Sequence, residues 1–235
     1  MKARYSLNGR IAGFDFFTWL VMQKEQGVTS VSFDANEPRS NKFTTIEILS
    51  RYESILKPGC AFAGLPYDEL GEGQNTIGGQ VELMGFLKSG RKLQRLKSVL
   101  PRGKERYTVT LRTTRRWPWR NSNEEVWREF AREIGARVIP DYDVEPIDLH
   151  ERMALYAGAE MNFFVTNGPV ILCFLSDYPA MSFDVGQSPM INLGIPIGGQ
   201  YPFLMRDRHV QIYERDTADV IRKHFYHWRK TGAFL

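Results

Sequence analysis

The sequence predicts an α/β protein made of two Rossmann-like halves, each a parallel sheet covered by helices. Three observations carry this expectation. Strand-like segments alternate with single helical segments along most of the chain, and glycines or prolines punctuate the alternation. The 235 residues are 43% apolar and 13% aromatic, enough to bury one large or two small cores. A helix-breaking Pro101-Arg102-Gly103 before a clear strand sets the expected boundary near residue 105, giving domains 1–105 and 106–235.

The elements follow in order. Arg4 to Asn8 reads as a first strand, Gly9 to Gly13 as a turn, and Asp15 to Gln26 as a helix closed by Gly27, with Phe14, Phe17, Thr18, Val21 and Met22 facing inward. Val28 to Phe33 has the β-branched character of a second strand, and Asp34 to Lys42 is a polar loop. Thr44 to Leu56 predicts a helix that Lys57-Pro58-Gly59 stops, and Pro66 to Gly79 an exposed loop. Residues 88–105 are expected to be helical in part, and Tyr107 to Leu111 to form a strand. Ser122 with Glu125 has capping-box spacing before a helix whose buried stripe is Val126, Phe130 and Ile134. Ala136 to Pro140 is a short strand, and Asp148 with Glu151 a second cap-like start, for a helix with Leu149, Met153, Ala154 and Ala157 inside. Met161 to Val165 is a strand, Thr166-Asn167-Gly168 a tight turn, and Pro169 suits the first turn of a helix over 170–175. A last helix spans Thr217 to Arg229, with Val220, Ile221, His224, Phe225 and Trp228 on one side.

Charge is uneven. Twelve Lys or Arg residues against Glu105 alone give Lys88 to Arg120 a charge of +11, and the rest of the chain carries −7 within a total of +4. Such a block attracts a ligand phosphate, a nucleic-acid backbone or an anionic membrane face, or is simply a solvated basic face. Cys60 and Cys173 sit in apolar surroundings without metal-ligand spacing, so buried free thiols are expected. No window approaches the ~18 apolar residues of a membrane span, and the polar start lacks a signal core, so the expected location is the cytoplasm.

Ligands of parallel sheets bind at the carboxyl ends of strands, which selects four segments. Leu111 to Arg120 leaves a strand end with Arg112, Thr113, Thr114, Arg115, Arg116 and Arg120; the planar guanidinium donates paired hydrogen bonds to phosphate, and a diphosphate leaving group needs its developing charge stabilised. The alternative is a basic loop that Trp117 and Trp119 anchor to the core. Thr166-Asn167-Gly168-Pro169 offers free N–H groups at a helix start and a glycine that allows close approach of a phosphate, although an ordinary cap accounts for Thr166 or Asn167 equally well. Asp141, Asp143 and Glu145, followed by His150, suit ribose or base contacts rather than a metal. Asp15, after Gly13-Phe14, is a candidate general base or a plain helix cap. His209, His224 and His227 lack a shared metal geometry, and no P-loop, G-x-G-x-x-G, G-x-S-x-G or zinc-finger spacing occurs.

Residues 148–159 (Asp148-Leu149-His150-Glu151-Arg152-Met153-Ala154-Leu155-Tyr156-Ala157-Gly158-Ala159) and 162–169 (Asn162 to Pro169) resemble the helix, strand and glycine turn of the donor-binding domain in GT-B-type glycosyltransferases, heptosyltransferases in particular. The Arg112-Thr113-Thr114-Arg115 loop is similar in placement to the arginine-bearing strand end of fucosyltransferase-like members. The resemblance covers residues 107–229, with a weaker echo of an acceptor domain in 1–105, where Gly13-Phe14-Asp15 sits like the base-bearing turn; that half is small for its role. The sequence departs from heptosyltransferases at Thr166-Asn167, where they have an acidic residue, and at Ile171, where they have histidine. The resemblance implies a nucleotide-sugar-binding C-terminal domain and metal-independent, inverting transfer of a sugar from a nucleoside diphosphate to a hydroxyl acceptor. It implies Asp15, Arg112 and Arg115 in catalysis and Thr113, Thr114, Asp143, His150, Thr166, Asn167 and Gly168 around the donor, which is a co-substrate, with no further cofactor. Two other readings stand: a polyanion or nucleic-acid binder using residues 88–120 with Trp117 and Trp119 stacking on bases, and a catalytically silent scaffold of the same fold.

Overall fold

A computed structural model of the chain describes residues 1–6, 14–34, 50–68, 93–115, 118–141, 147–183 and 204–235. The chain is α/β with parallel sheets. Strands β1 (Lys2–Ser6) and β2 (Ser30–Asp34) pair in parallel through the crossover helix α1 (Asp15–Glu25), as the opening β-α-β pattern predicts. Gly27 closes α1 at φ 83°, a left-handed backbone that a side chain rarely adopts. This helix is buried on nearly every side, with Phe16, Phe17, Leu20 and Val21 at 0% exposure, so no single inward stripe exists.

The predicted stop at Lys57-Pro58-Gly59 does not occur. A π-helical turn, Tyr52–Leu56, runs straight into α2 (Lys57–Ala63), and Gly64 ends it in the left-handed conformation. Pro58 lies inside this continuous helical run, where it removes one backbone donor, and the π-helical turn falls directly before it. Gly59 serves packing: a Cβ there would lie 2.8 Å from the Phe16 ring. Residues 93–105, expected to be partly helical, contain no helix. They lie across the helices instead, with Arg95 and Leu96 N–H groups donating to Leu175, Lys97 to Phe62 and Gly103 to Ala154. Residues 88–92, the Gly9–Gly13 turn and most of the 34–42 and 66–79 loops fall outside the described residues.

The larger sheet holds β3 (Tyr107–Thr110), β4 (Arg137–Ile139), β5 (Met161–Val165), β6 (Ala180–Phe183) and β7 (His209–Ile212) in the order β4-β3-β5-β6-β7, all parallel. Numbered from β3, this is the doubly wound order 2-1-3-4-5. Helices α3 (Glu124–Ile134) and α6 (Ala218–Thr231) cover one face, where Trp127, Phe130, Phe163, Phe183 and Phe225 form an edge-to-face aromatic core. Helices α4 (Leu149–Gly158) and α5 (Val170–Phe174) cover the other. That second core is continuous with α1, α2 and β2, so buried residues from either side of position 105 share one cluster.

Local signals account for several elements. Asp148 caps α4 by accepting from the His150 and Glu151 N–H groups, and Thr217 caps α6 through the Val220 N–H. The capping box at Ser122 and Glu125 does not form. Asn123 is the N-cap residue without a side-chain cap: Ser122 Oγ accepts from the Arg112 N–H, and Asp216, in the connection between β7 and α6, accepts from the Asn123 N–H at 2.7 Å. The buried face of α3 is accordingly Trp127, Phe130 and Ala131, with Val126 and Ile134 only half-buried. Both thiols are buried and free, and burial pushes Cys60 up to about 12 and Cys173 well above the ordinary thiol range. Among the described residues no helix is long and apolar enough to cross a membrane.

Candidate functional site at the carboxyl edge of the large sheet

In a doubly wound sheet the chain leaves adjacent strands toward opposite faces at one point, and a crevice opens beyond their carboxyl ends. Here that point lies between β3 and β5, because the crossover from β3 leads to β4 on one side and that from β5 to β6 on the other. The segments emerging there are 111–120 and 166–169. They meet: Asn167 Nδ2 donates to the Leu111 carbonyl at 3.5 Å, and Arg120 Nη2 to the Thr166 carbonyl at 3.4 Å.

The predicted site residues divide by whether the fold uses their polar groups. Arg112 is 6% exposed, its N–H bound to Ser122 and its Nη1 donating to Asn121 Oδ1 at 2.7 Å. Asn121 also donates to the Thr114 carbonyl, so this pair clasps the loop from inside. The guanidinium expected on a diphosphate thus braces this loop through Nη1. Thr113 donates its N–H to the buried carboxylate of Asp141 at 2.9 Å, and Thr114 is half-buried. Arg115 is exposed, with no partner among the described residues. Trp119 is 64% exposed, which excludes a core-anchoring role for it; Arg116 and Trp117 fall outside the described residues.

On the β5 side, Thr166 is 8% exposed, and its hydroxyl is engaged with Ser182 Oγ at 3.1 Å and the Phe183 carbonyl at 3.2 Å. Asn167 Oδ1 accepts from the Val170 N–H, the capping role the sequence allowed. Gly168 faces the side chain of Phe14, whose ring would stand 2.6 Å from an added Cβ, so a ring fills the space expected to admit a phosphate. Helix α5 has five residues and offers little dipole. His150, second in α4, sets its ring edge-to-face with Phe62 of α2, centroids 5.1 Å apart, and its buried Nδ1 has no partner among the described residues. Asp15 opens α1, one residue after Phe14, but its side chain and all of Asp143 lie outside what is described.

A buried brace missed by sequence reasoning holds the exits of β3 and β4 together. Arg152, 0% exposed, donates to the Pro140 carbonyl at 3.1 Å and to the Tyr156 hydroxyl at 3.3 Å, which meets Thr110 Oγ1 at 2.9 Å. Burial raises the Tyr156 pKa, so the phenol stays protonated. The available signal is an arginine at helical spacing with the buried Leu149, Met153 and Tyr156 of α4.

A cavity of about 540 Å³ opens at the opposite, amino-terminal edge, between Arg102, Glu160, Asp177, Tyr178, Arg208 and Arg229. Its three arginines face two carboxylates and the carbonyl ends of α4 and α6, so no net field selects an anion there. The carboxyl edge, with exposed Arg115 and Trp119, is the better candidate. Among the described residues no cluster of three His, Cys, Asp or Glu side chains is arranged to hold a metal. No known protein family matches the chain, and no curated protein or solved structure shows a significant match to it.

Proposed function

We propose that the chain is a cytoplasmic, GT-B-like glycosyltransferase that binds a nucleoside-diphosphate sugar at the β3/β5 crevice and transfers the sugar to a hydroxyl acceptor. The observation that carries this reading is the hydrogen-bonded junction of the two strand exits, which sets Arg120 beside the turn at Thr166 in the segment that also carries exposed Arg115 and Trp119. In this reading Arg115 and Arg120 bind the diphosphate and stabilise the charge it gains as the bond to the anomeric carbon breaks. Their positive charge does the work a metal would otherwise do. The acceptor oxygen attacks that carbon from the opposite face, with inversion, and its proton passes to the carboxylate of Asp15, which begins α1 next to the residue that meets Gly168. Arg112 acts as a positioning residue through Asn121, and Trp119 offers a ring face to the base.

Thermal-shift titration with UDP, GDP, ADP and their sugars tests the proposal. Stabilisation by at least one of them, lost in Arg115→Ala, is the expected result. No stabilisation by any, at concentrations where about 1 kcal/mol should appear, would remove it. A silent scaffold of this fold would bind nucleotide yet turn over no sugar with any acceptor.

Exposed Trp119 also favours a second reading, binding of single-stranded nucleic acid by stacking and charge. Against it, Arg95 is ion-paired with Glu25 and Arg106 with Glu160, so part of the basic block is neutralised by surface carboxylates of the same chain. A steep fall of RNA or DNA binding with salt would support this second reading.

A further inference from the structure

Three polar side chains interrupt the apolar carboxyl ends of β5, β6 and β7. Thr166 stands one residue beyond β5, and Ser182 on β6 is in register with Gln211 on β7. All three are at least nine-tenths buried. Gln211 Nε2 reaches across β6 and donates to Thr166 Oγ1 at 2.8 Å. The Thr166 hydroxyl has one hydrogen, and the Phe183 carbonyl and Ser182 Oγ are both in reach to accept it. With Nε2 turned to Thr166, the amide oxygen is directed away from that hydroxyl. Gln211 Oε1 is then a buried acceptor to which no described residue donates.

A buried carbonyl without a donor is a standing cost to the folded chain, and a group of this kind calls for a missing partner or a functional role. The location agrees, since the side chain of Gln211 leans toward the carboxyl edge to reach Thr166, whose own carbonyl receives Arg120 from the crevice loop. We propose that Gln211 Oε1 is a specificity-determining acceptor for an uncharged donor of the bound ligand, either a sugar O–H or a base N–H. This rests on the nucleotide-sugar reading of the same crevice. A carbonyl end-on in a buried site rejects a ligand that lacks the hydrogen and is indifferent to the phosphates, which Arg115 and Arg120 address.

The test uses Gln211→Met, which keeps length and removes the acceptor, with affinities measured for UDP, GDP and ADP and for their glucose conjugates. The expected result is a loss of about tenfold in affinity with little change in melting temperature, because the unpartnered carbonyl disappears together with the bond to Thr166. A loss already seen with the nucleoside diphosphate assigns the donor to the base; a loss confined to the sugar conjugate assigns it to the sugar. Equal affinity of variant and wild type overturns the inference and leaves the nucleotide-sugar reading standing, whereas wild type that binds none of these ligands ends both. Should Gln211→Met fail to fold, deoxy-sugar and N-methylated-base analogues on the unaltered protein give the same readout: an analogue bound about tenfold more weakly supports the inference, and analogues all bound as well as their parents refute it.

Discussion

Two arginines three residues apart in one loop should behave in opposite ways when removed. Arg112 is buried, and its Nη1 is bonded to Asn121 at 2.7 Å. In Arg112→Ala, loss of a charge-assisted bond, with Asn121 Oδ1 stripped of that donor, costs about 1.5–3 kcal/mol. The buried aliphatic stem adds roughly 1 kcal/mol, for a total of about 3 kcal/mol. For a chain of this size that corresponds to a fall in melting temperature of roughly 6–12 °C. Arg115 is exposed and pairs with no described residue, so Arg115→Ala should change stability by less than about 0.5 kcal/mol while abolishing the shift caused by nucleoside diphosphates. Urea unfolding of the three proteins, followed by thermal shift with and without UDP, GDP and ADP, separates the effects. If Arg112→Ala is as stable as wild type yet loses the ligand shift, the guanidinium is free to meet a phosphate and the division of labour between the two arginines is wrong.

Three further outcomes follow from the packing. His209 is fully buried, accepting from the Met205 N–H at Nδ1 and donating from Nε2 to the Tyr178 carbonyl, and burial pulls its pKa down to about 4. Its folded-state pKa lies below the unfolded value of 6.5, so the stability it contributes is full above that value and is lost as pH falls toward 4; at pH 5 the loss is about 2 kcal/mol, and His209→Gln should remove that part of the pH dependence in urea titrations. Asp216→Ala leaves the Asn123 N–H and the Trp127 indole N–H, now bound at 2.7 and 2.8 Å, without an acceptor; a loss of roughly 3 kcal/mol is expected by denaturant unfolding, and Asp216→Asn should recover part of it. Gly158→Ala would place a methyl 2.0 Å from the Gly103 carbonyl oxygen, so segment 93–105 must lift from α4, and hydrogen exchange at the Gly103 amide should accelerate in the variant.

The parts of the fold that were legible in the sequence are those whose signals act over a few residues. Asp148 caps α4 and Met161–Val165 forms β5 as expected, because a cap and a run of large apolar residues need no distant partner. The parts that were not legible are those decided by competition across the fold. Ser122 has the spacing of a capping box, but the Arg112 N–H takes its hydroxyl, and a carboxylate 93 residues along the chain serves the helix start instead. Strand β6, Ala-Met-Ser-Phe, has no β-branched residue and is a strand because β5 and β7 flank it. The proline at 58 looked like a terminator because nothing local announces the π-helical turn before it.

The same distinction orders the candidate site. Sequence reasoning expected the exits of β3 and β5 to meet, as they do, since topology follows from the alternation of elements, and it left a ligand contact and a capping role both open for Thr166 and Asn167. Packing claims many of the polar side chains there first. Arg112, Asp141, Thr166 and Asn167 spend their groups on the loops themselves, and Phe14 of the first half occupies the face of Gly168. What remains for the proposed ligand is a smaller set: Arg115 and Trp119, exposed on the β3 loop, Arg120 beside Thr166, and the buried Gln211 carbonyl on β7. A site so divided has a rigid frame and few contacts to spare, so substitutions at the frame should register as stability and substitutions at the remainder as affinity.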